Sequence, residues 1–488
     1  MQQKTKWSQF GTLVTVFFFW GFVAASNDIL IPVFKEKLHM QQWQAQMISF
    51  AFYVAYTVGS IIYTIISKAT GGDILNRIGY KNGIALGLII SALGALLFYP
   101  AAMTASFGLL ITGLFVIGLG YSLQQTAANP LAIIMGDPAS GAQRLSLAGG
   151  INNFGTTIGP LLVSIAIFGS AAAGSGVVRE ASISSVKVPY LILGAAFLVI
   201  AAIFKFSSLP NKLDLDQTAT EDASASSKLL HRSSPLKYPQ LWLGMLGIFI
   251  YVGVEVTTAS NLPEFMRERL NTPTDQIAPF VSLYWASLMI GRWTASVGAF
   301  GISKAAQKIL SFFMPYLAFG VFILVNVIAG HGSVIKPLLY VYPFIIIAMI
   351  VGDILSKGNP ARQLLIFSGM AITALLIGIF AEGMVSVYAF VSVGLFCSTL
   401  WPCIFTLAVA GLGKHTSEGS NYLIMMIFGG GVVSLLQGWL AGTSIGIQHS
   451  YFVGVACFAY LAYYAIRAKK ELKSQGIDFD ALRAAGGH

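Results

Sequence analysis

Apolar runs of about twenty residues follow one another along the chain from Trp7 to Ile466, and short polar or glycine-rich connectors separate them. A helix crosses the hydrocarbon layer of a membrane in about twenty residues, so each run is long enough to span it. Helices satisfy their own backbone hydrogen bonds in lipid, whereas a β-barrel would show alternating polarity, which runs such as 84–98 and 344–351 lack. The pattern predicts an all-α integral membrane protein with about fourteen transmembrane helices.

A hydrophilic stretch at 208–238, rich in acids, serine and alanine, divides these runs into two groups. In the first half, residues 1–207, we predict helices near 8–34, 43–67, 80–101, 106–134, 145–170 and 188–206. In the second half, residues 239–467, we predict helices near 240–262, 277–299, 305–329, 336–351, 363–380, 385–411, 418–442 and 450–466. The stretch at 208–238 is therefore interpreted as a cytoplasmic linker, and 468–488 as a cytoplasmic tail.

The tetrapeptide Gly-Asp-Ile-Leu occurs twice, at 72–75 and at 352–355, each time ahead of basic residues. We expect both copies to lie on turns between two helices of related halves. If the copies correspond, the helices at about 305–351 are an inserted pair in the second half. Related halves with a substrate cleft between them are typical of transporters.

Only 10% of the residues are charged and 56% are hydrophobic, whereas roughly a quarter are charged in a soluble domain. The first apolar stretch, 10–25, is longer than the core of a cleaved signal peptide, so it is predicted to remain as the first helix. The three cysteines all lie inside apolar runs, which predicts neither a disulfide framework nor a metal site. The six histidines are scattered, so no catalytic cluster is indicated.

The net charge of +10 would suit a nucleic-acid partner, but the basic residues gather in alternate connectors. In the first half, one side carries Lys4, Lys6, Lys68, Arg77, Lys81, Arg144, Lys205, Lys212, Lys228 and Arg232. The other side carries Lys35, Lys37, Arg179 and Lys187. By the positive-inside rule, both termini are predicted to be cytoplasmic, in a multi-pass protein of the inner (cytoplasmic) membrane surrounded by lipid and without a nucleic-acid partner.

Two acidic residues lie inside predicted spans. Asp28 is about two thirds of the way along the first helix, and Glu255 lies in the first helix of the second half. An ionised carboxylate at that depth costs several kcal/mol, so it must take up a proton, bind a cation or find a partner. Both acids are candidate cation-coupling residues. The alternatives are that Asp28 lies close enough to the surface to be hydrated and that Glu255 pairs with Arg292 of the next helix.

Uncharged amides lie in the predicted fourth and fifth helices, in 124–130 and 149–155. Amides both donate and accept hydrogen bonds, which suits a ligand made of hydroxyl groups. Bonding between helices is the alternative role for each of them. Aromatic side chains that could stack on a sugar ring, or serve only in packing, are Trp20, Tyr53, Tyr56, Tyr284, Trp285 and Trp401.

Several separated motifs, in order, resemble the fucose:proton symporter family of the major facilitator superfamily. In the first half they are Asn27-Asp28-Ile29-Leu30-Ile31-Pro32, Thr126-Ala127-Ala128-Asn129-Pro130 and Asn152-Asn153-Phe154-Gly155. In the second half they are Tyr251-Val252-Gly253-Val254-Glu255, Tyr284-Trp285, Gly291-Arg292, Trp401-Pro402 and Gly429-Gly430-Gly431. The resemblance implies a bundle of two six-helix halves, so about fourteen helices would be the usual twelve plus an inserted pair.

The resemblance also implies roles for single residues. Asp28 matches the coupling acid of the first helix, and Asn152 matches an amide associated with sugar recognition. Gln125 replaces the glutamate of the fucose branch and, together with the run at 154–160 and Glu255, is more similar to the glucose/galactose transporter branch. The chain departs from that branch at 261–265. The loop at 72–81 resembles the superfamily's cytoplasmic motif, with Asn76 where an acid is common.

We therefore predict a monomeric sugar symporter that uses no organic cofactor and works by alternating access. Asp28 and Glu255 would bind a proton or Na⁺, both of which suit a carboxylate. The monosaccharide would be bound by Asn27, Gln125, Asn129, Asn152, Tyr284 and Trp401. A hexose such as glucose or galactose is expected, and fucose and N-acetylglucosamine are the alternatives. Other open alternatives are a sensor without flux, an efflux pump and a membrane enzyme that acts on a lipid-linked sugar.

Overall fold

The long helices of the protein are described from a computed structural model. The structure describes residues 5–37, 42–137, 140–168, 187–209, 211 and 232–481, and the side chains of 24–50 lie outside this description. In chain order, the first half has α1 Trp7–Lys37, α2 Gln42–Ala69, α3 Tyr80–Thr104, α4 Phe107–Ile134, α5 Gly141–Phe168 and α6 Lys187–Phe206. The second half has α7 Pro239–Leu270, α8 Thr274–Ser296, α9 Lys304–Ile328, α10 Leu338–Ser356, α11 Pro360–Phe380, α12 Met384–Val409, α13 Gly413–Ala441 and α14 Gly446–Ser474.

Eleven of these helices are long and apolar enough, within the described residues, to cross a membrane. The others are α1, α5 and α8, which contain 31, 28 and 23 residues. The all-helical architecture predicted from the apolar runs is confirmed.

Each half repeats the same set of helix contacts. In the first half, α1 packs along α5, α3 packs between α4 and α6, and α2 packs along α4. In the second half, α7 packs along α13, α11 packs between α12 and α14, and α8 packs along α12. The helix α11 thus takes the position of α3, while α9 and α10 pack behind α8, α11 and α12.

Glycines allow the closest of these helix approaches. A Cβ atom on Gly21 of α1 would lie 1.9 Å from the backbone oxygen of Asn152 in α5. The equivalent contact in the second half is at Gly429 of α13, where a Cβ atom would lie 1.9 Å from the backbone oxygen of Phe249 in α7. Small residues at such crossings let two backbones meet in van der Waals contact, which is the main attraction between helices in lipid.

Both ends of the described chain lie at one end of the bundle. Near the start, Gln9 Nε2 donates to the Ser208 carbonyl over 2.7 Å. Near the finish, Gln475 Nε2 donates to Gln240 Oε1 over 2.9 Å. We call this the terminal end; it includes the described connectors at 70–79, 135–137, 297–303, 357–359 and 410–412.

The two Gly-Asp-Ile-Leu copies lie in different local structures. Asp73 caps the short helix Ile74–Ile78 by accepting from the Leu75 amide over 2.8 Å, so the first copy lies on a turn as expected. The expectation is wrong for the second copy, because Asp353 lies inside α10. That helix ends only at Ser356, where Lys357 and Gly358 take positive φ angles. In the second copy, the turn therefore comes after the tetrapeptide, and the tetrapeptide itself is helical.

We expect Gly21→Ala to destabilise the fold by about 1–3 kcal/mol, because the added methyl group forces α1 away from α5. Gly11→Ala is the matched control on the same helix, since a Cβ atom there would meet nothing within 4 Å. The measurement is the thermal unfolding midpoint of the purified protein in detergent. Equal midpoints for the two variants would contradict the close contact at Gly21.

Candidate functional site between the two halves

At the terminal end, α13 of the second half is hydrogen-bonded to α2 and α4 of the first half. Asn421 Nδ2 donates to the Ser60 carbonyl over 3.1 Å and to Thr64 Oγ1 over 3.0 Å. Ser420 Oγ donates to the Thr126 carbonyl over 2.9 Å. Ser60, Thr126, Ser420 and Asn421 are all buried. These four residues and Thr64 form what we call the α13 seam, which holds the halves together at this level.

The loop between α2 and α3 continues this seam at its outer edge. The Tyr80 hydroxyl is hydrogen-bonded to Ser417 at the start of α13. Asp73 Oδ1 accepts from the Tyr63 hydroxyl over 2.6 Å and from the Leu75 amide over 2.8 Å. Burial raises the pKa of the Asp73 carboxyl, and the hydrogen bond from Tyr63 opposes that shift. The loop therefore holds a partly buried acid directly beside the contact between the halves.

A second seam joins α8 of the second half to α5 of the first half. Arg292 is buried, and its Nη1 donates to Asn153 Oδ1 over 2.7 Å and to the Gly149 carbonyl over 3.3 Å. Its Nε donates to the Ser398 carbonyl of α12 over 2.8 Å. A Cβ atom on Gly149 would lie 2.9 Å from Arg292 Nη1, so the guanidinium group fits against bare backbone. A single cation thus bonds to both halves; we call Gly149, Asn153 and Arg292 the α8 seam.

Glu255 lies on α7, close to the α8 seam, and is partly exposed. The Tyr251 hydroxyl donates to its carboxylate, and the Tyr284 hydroxyl donates to its backbone carbonyl over 2.8 Å. The charge of Arg292 acts on Glu255, but no ion pair within 4 Å joins them among the described side chains. The alternative that Glu255 pairs with Arg292 is therefore not seen in this conformation, because the guanidinium group bonds to α5 and α12.

Three of the predicted amides lie in the first half, on α4 and α5. Gln125 and Asn152 are partly exposed. Gln125 Nε2 donates to the Tyr56 hydroxyl over 2.9 Å, and Asn152 Nδ2 donates to the Phe17 carbonyl over 3.0 Å. Asn129 is buried, and its Nδ2 has no hydrogen-bond partner among the described residues. A buried amide without a partner costs about 1–3 kcal/mol, so it is a donor available to a ligand.

The two predicted aromatic residues lie in different surroundings. Trp401 is partly exposed, and the centre of its ring system lies 6.3 Å from that of Tyr251. Tyr284 is fully buried, with its hydroxyl bonded to Glu255. Contact between Tyr284 and a sugar would need a change in this packing. Asn27 and Asp28 lie in α1, and their side chains lie outside the described part.

Comparison with known proteins assigns the chain to a family. A family model of the Major Facilitator Superfamily matches residues 10–352. The chain belongs to this superfamily. The glucose/galactose transporter of Brucella abortus is 32% identical over 461 residues, which covers 94% of this chain and 93% of the relative. The L-fucose-proton symporter of Escherichia coli is 27% identical over 472 residues, which covers 93% and 92%.

A solved structure is similar along the same length. The Major Facilitator Superfamily transporter FucP, in the outward conformation, matches with a TM-score of 0.70 and 26% identity, which covers 94% of this chain and 98% of that one. The resemblance to the fucose:proton symporter family is confirmed, and so is the expectation of a multi-pass membrane transporter rather than an enzyme.

The sequence alone did not predict that two adjacent amides on one helix of this superfamily member have different roles. Gln124, next to Gln125, accepts from Trp20 Nε1 over 2.8 Å and donates to Ser91 over 2.9 Å, so it ties three helices together. Asn153, next to Asn152, bonds to Arg292 of the other half. Successive residues on a helix point about 100° apart, so two adjacent amides face different neighbours. The paired amides were the available signal, but the sequence does not say which neighbour each one faces.

The seams predict how the terminal end responds to mutation. Asn421→Leu removes two hydrogen bonds across the α13 seam, so we expect the halves to separate more often at this end. Spin labels on the exposed positions Arg77 and Lys414, one in each half, would report the change as a longer distance between the labels.

Asn261→Leu is the control, because Asn261 Nδ2 bonds to Thr257 on its own helix α7. We expect the label distances of this variant to match those of the otherwise unchanged protein. An unchanged distance distribution in Asn421→Leu would contradict the role of the α13 seam.

Proposed function

We propose that this protein is a secondary active transporter that carries a hexose similar to glucose or galactose together with a proton or Na⁺. The relatives that match almost the whole chain are named as a glucose/galactose transporter and an L-fucose-proton symporter. The identity is higher to the former, at 32% against 27%. This agrees with the motif comparison, in which Gln125, the run at 154–160 and Glu255 are more similar to the glucose/galactose transporter branch.

One arrangement carries the proposal. Glu255 in the second half and Gln125 and Asn152 in the first half are partly exposed polar groups inside long apolar helices. Next to them, two seams of hydrogen bonds close the terminal end. A transporter that works by alternating access needs a polar site in the middle of the membrane and a gate on one side of it. The proposal assigns the partly exposed polar groups to the site and the two seams to the gate.

The polar groups divide into two chemical kinds. Asp28 and Glu255 are the carboxylates that would take the coupling cation, and the Tyr251 hydroxyl would stabilise Glu255 when it is charged. The amides of Asn27, Gln125, Asn129 and Asn152, with the rings of Tyr284 and Trp401, would bind the sugar. The donor of Asn129 has no partner within the protein, which supports this role.

Coupling needs only that cation and sugar each bind one conformation better than the other. Opening the terminal end would separate Arg292 from Asn153 and Gly149, and water entering the opening would replace these two acceptors. The states with the α8 seam formed and broken would therefore be distinct conformations, and each ligand can favour one of them.

We infer the membrane arrangement from the same features. The terminal end would be cytoplasmic, because the basic connectors of the first half gather there. The helices α1, α5 and α8 would cross the inner membrane together with the eleven apolar ones, which gives fourteen crossings. The pair α9 and α10 would be an insertion into a twelve-helix bundle, and the protein would be a monomer. Residues 208–238 would form the cytoplasmic linker, and 468–488 the cytoplasmic tail.

The experiment is sugar uptake into proteoliposomes under an imposed proton or Na⁺ gradient. We expect Asp28→Asn and Glu255→Gln each to reduce gradient-driven accumulation at least about ten-fold, because the cation site loses its charge, while sugar counterflow continues. Glu264→Gln is the control on α7, since that acid pairs with Arg267 near the helix end. Undiminished accumulation in both variants would disprove the coupling roles.

Counterflow with labelled glucose, galactose, fucose and N-acetylglucosamine identifies the substrate. We expect the fastest exchange with glucose or galactose. Binding of a sugar without any exchange would indicate a sensor and would refute transport.

A further inference from the structure

The helices α9 and α10 pack behind α8, the helix that carries Arg292 and Tyr284. α9 runs along α8, and α10 contacts α8, α11 and α12. On its other side, α8 faces α5 of the first half. The pair therefore packs against a helix of the second half that contributes both to the α8 seam and to the surroundings of Glu255.

A buried hydroxyl pair joins α10 to α8. The Tyr342 hydroxyl and Ser287 Oγ are 2.5 Å apart, and both side chains are fully buried. Ser287 Oγ donates to the Leu283 carbonyl over 2.5 Å, so the proton between the two hydroxyls comes from Tyr342. The Tyr342 ring stacks on Phe319 of α9, with 5.7 Å between ring centres. Tyr342 is thus held by both α8 and α9.

A second polar contact joins α9 to α8. Asn326 is buried, and its Nδ2 lies 3.4 Å from Ser282 Oγ. Ser282 and Ser287 stand on either side of Tyr284 along α8. The Tyr284 hydroxyl in turn donates to the Glu255 carbonyl. Polar side chains inside a membrane are costly unless they are paired, so these two contacts fix how far along α8 the pair sits.

We propose that Tyr342 is a positioning residue. Through its hydrogen bond to Ser287, it holds α8 so that the Tyr284 hydroxyl stays hydrogen-bonded to the backbone carbonyl of Glu255. The inference rests on the proposed function in so far as Glu255 takes the coupling cation. On this proposal, the helix pair α9 and α10 takes part in transport. It supports α8, the helix that borders the site, from behind, and we call the pair the brace.

The first readout is the pH dependence of sugar uptake per folded transporter. Among the described side chains, the titratable and charged groups that face Glu255 are Tyr251 on α7, Tyr284 and Arg292 on α8, and Cys397 on α12. With Tyr342→Phe, a loosened Tyr284 would let more water reach the partly exposed Glu255 carboxylate, which favours the ionised form of this group. We expect the midpoint of the pH profile to move to lower pH by about half a unit or more.

Tyr340→Phe is the matched control, because Tyr340 is on the same helix and is 68% exposed. We expect it to keep the original pH profile. Ser287→Ala should reproduce the shift of Tyr342→Phe, and the double variant should add nothing further, since both changes break one contact. If the Tyr342 contact only stabilised the fold, its loss would lower the amount of folded protein. The pH profile per folded molecule would then stay unchanged.

The second readout does not depend on transport. The Cys397 thiol lies beside the Tyr284 hydroxyl and is fully buried. In a background of Cys403→Ser and Cys457→Ala, we expect Tyr342→Phe to speed the reaction of Cys397 with a small maleimide about three-fold or more over Tyr340→Phe, because the site opens locally more often.

The two readouts separate the two claims. If the unchanged protein takes up no sugar, the proposed function fails, and the labelling rate alone decides whether Tyr342 positions Tyr284. Unchanged labelling overturns the positioning role. Faster labelling with an unchanged pH profile also overturns the positioning role, because Tyr342 would then have no effect on the Glu255 carboxylate.

Discussion

The structure depends on the buried guanidinium group of Arg292, which has to find acceptors in both halves of the molecule. Its Nη1 uses Asn153 and the Gly149 carbonyl of the first half, and its Nε uses the Ser398 carbonyl of the second. A buried cation without acceptors costs several kcal/mol, so this contact favours a state in which α5 and α8 touch. The glycine at 149 makes the contact possible, because a side chain there would collide with the guanidinium group.

The two seams hold the halves together by different means. The α13 seam consists of uncharged hydrogen bonds from Ser420 and Asn421. Such bonds contribute about 0.5–1.5 kcal/mol each, so several are needed to hold a gate that must still open. The α8 seam uses a charge, which makes its loss more costly and links the gate to the electrostatics around Glu255. In the proposed transport cycle, such a gate would be strong enough to close and weak enough to be biased by a ligand.

The helix α8 connects these parts. It contacts α5 across the seam, α7 and α12 within its own half, and α9 and α10 behind it. Tyr284, Ser287 and Arg292 lie within nine residues of one another on this helix and face α7, α10 and α5, respectively. A movement of α8 would therefore change the α8 seam, the contact with Glu255 and the contact with α10 together. This explains how a helix pair outside the repeated plan can bear on the site.

The sequence by itself determined that the chain is helical and membrane-embedded, because the thickness of the hydrocarbon layer sets the length of every apolar run. It also determined which polar residues are candidates, since an acid or amide inside such a run is rare and costly. Only the tertiary structure decided that Arg292 bonds to Asn153 rather than to Glu255, and that Gln124 is structural while Gln125 stays partly exposed. The reason is geometric: adjacent residues on a helix point about 100° apart, and only the packing of the neighbouring helices determines what each one meets.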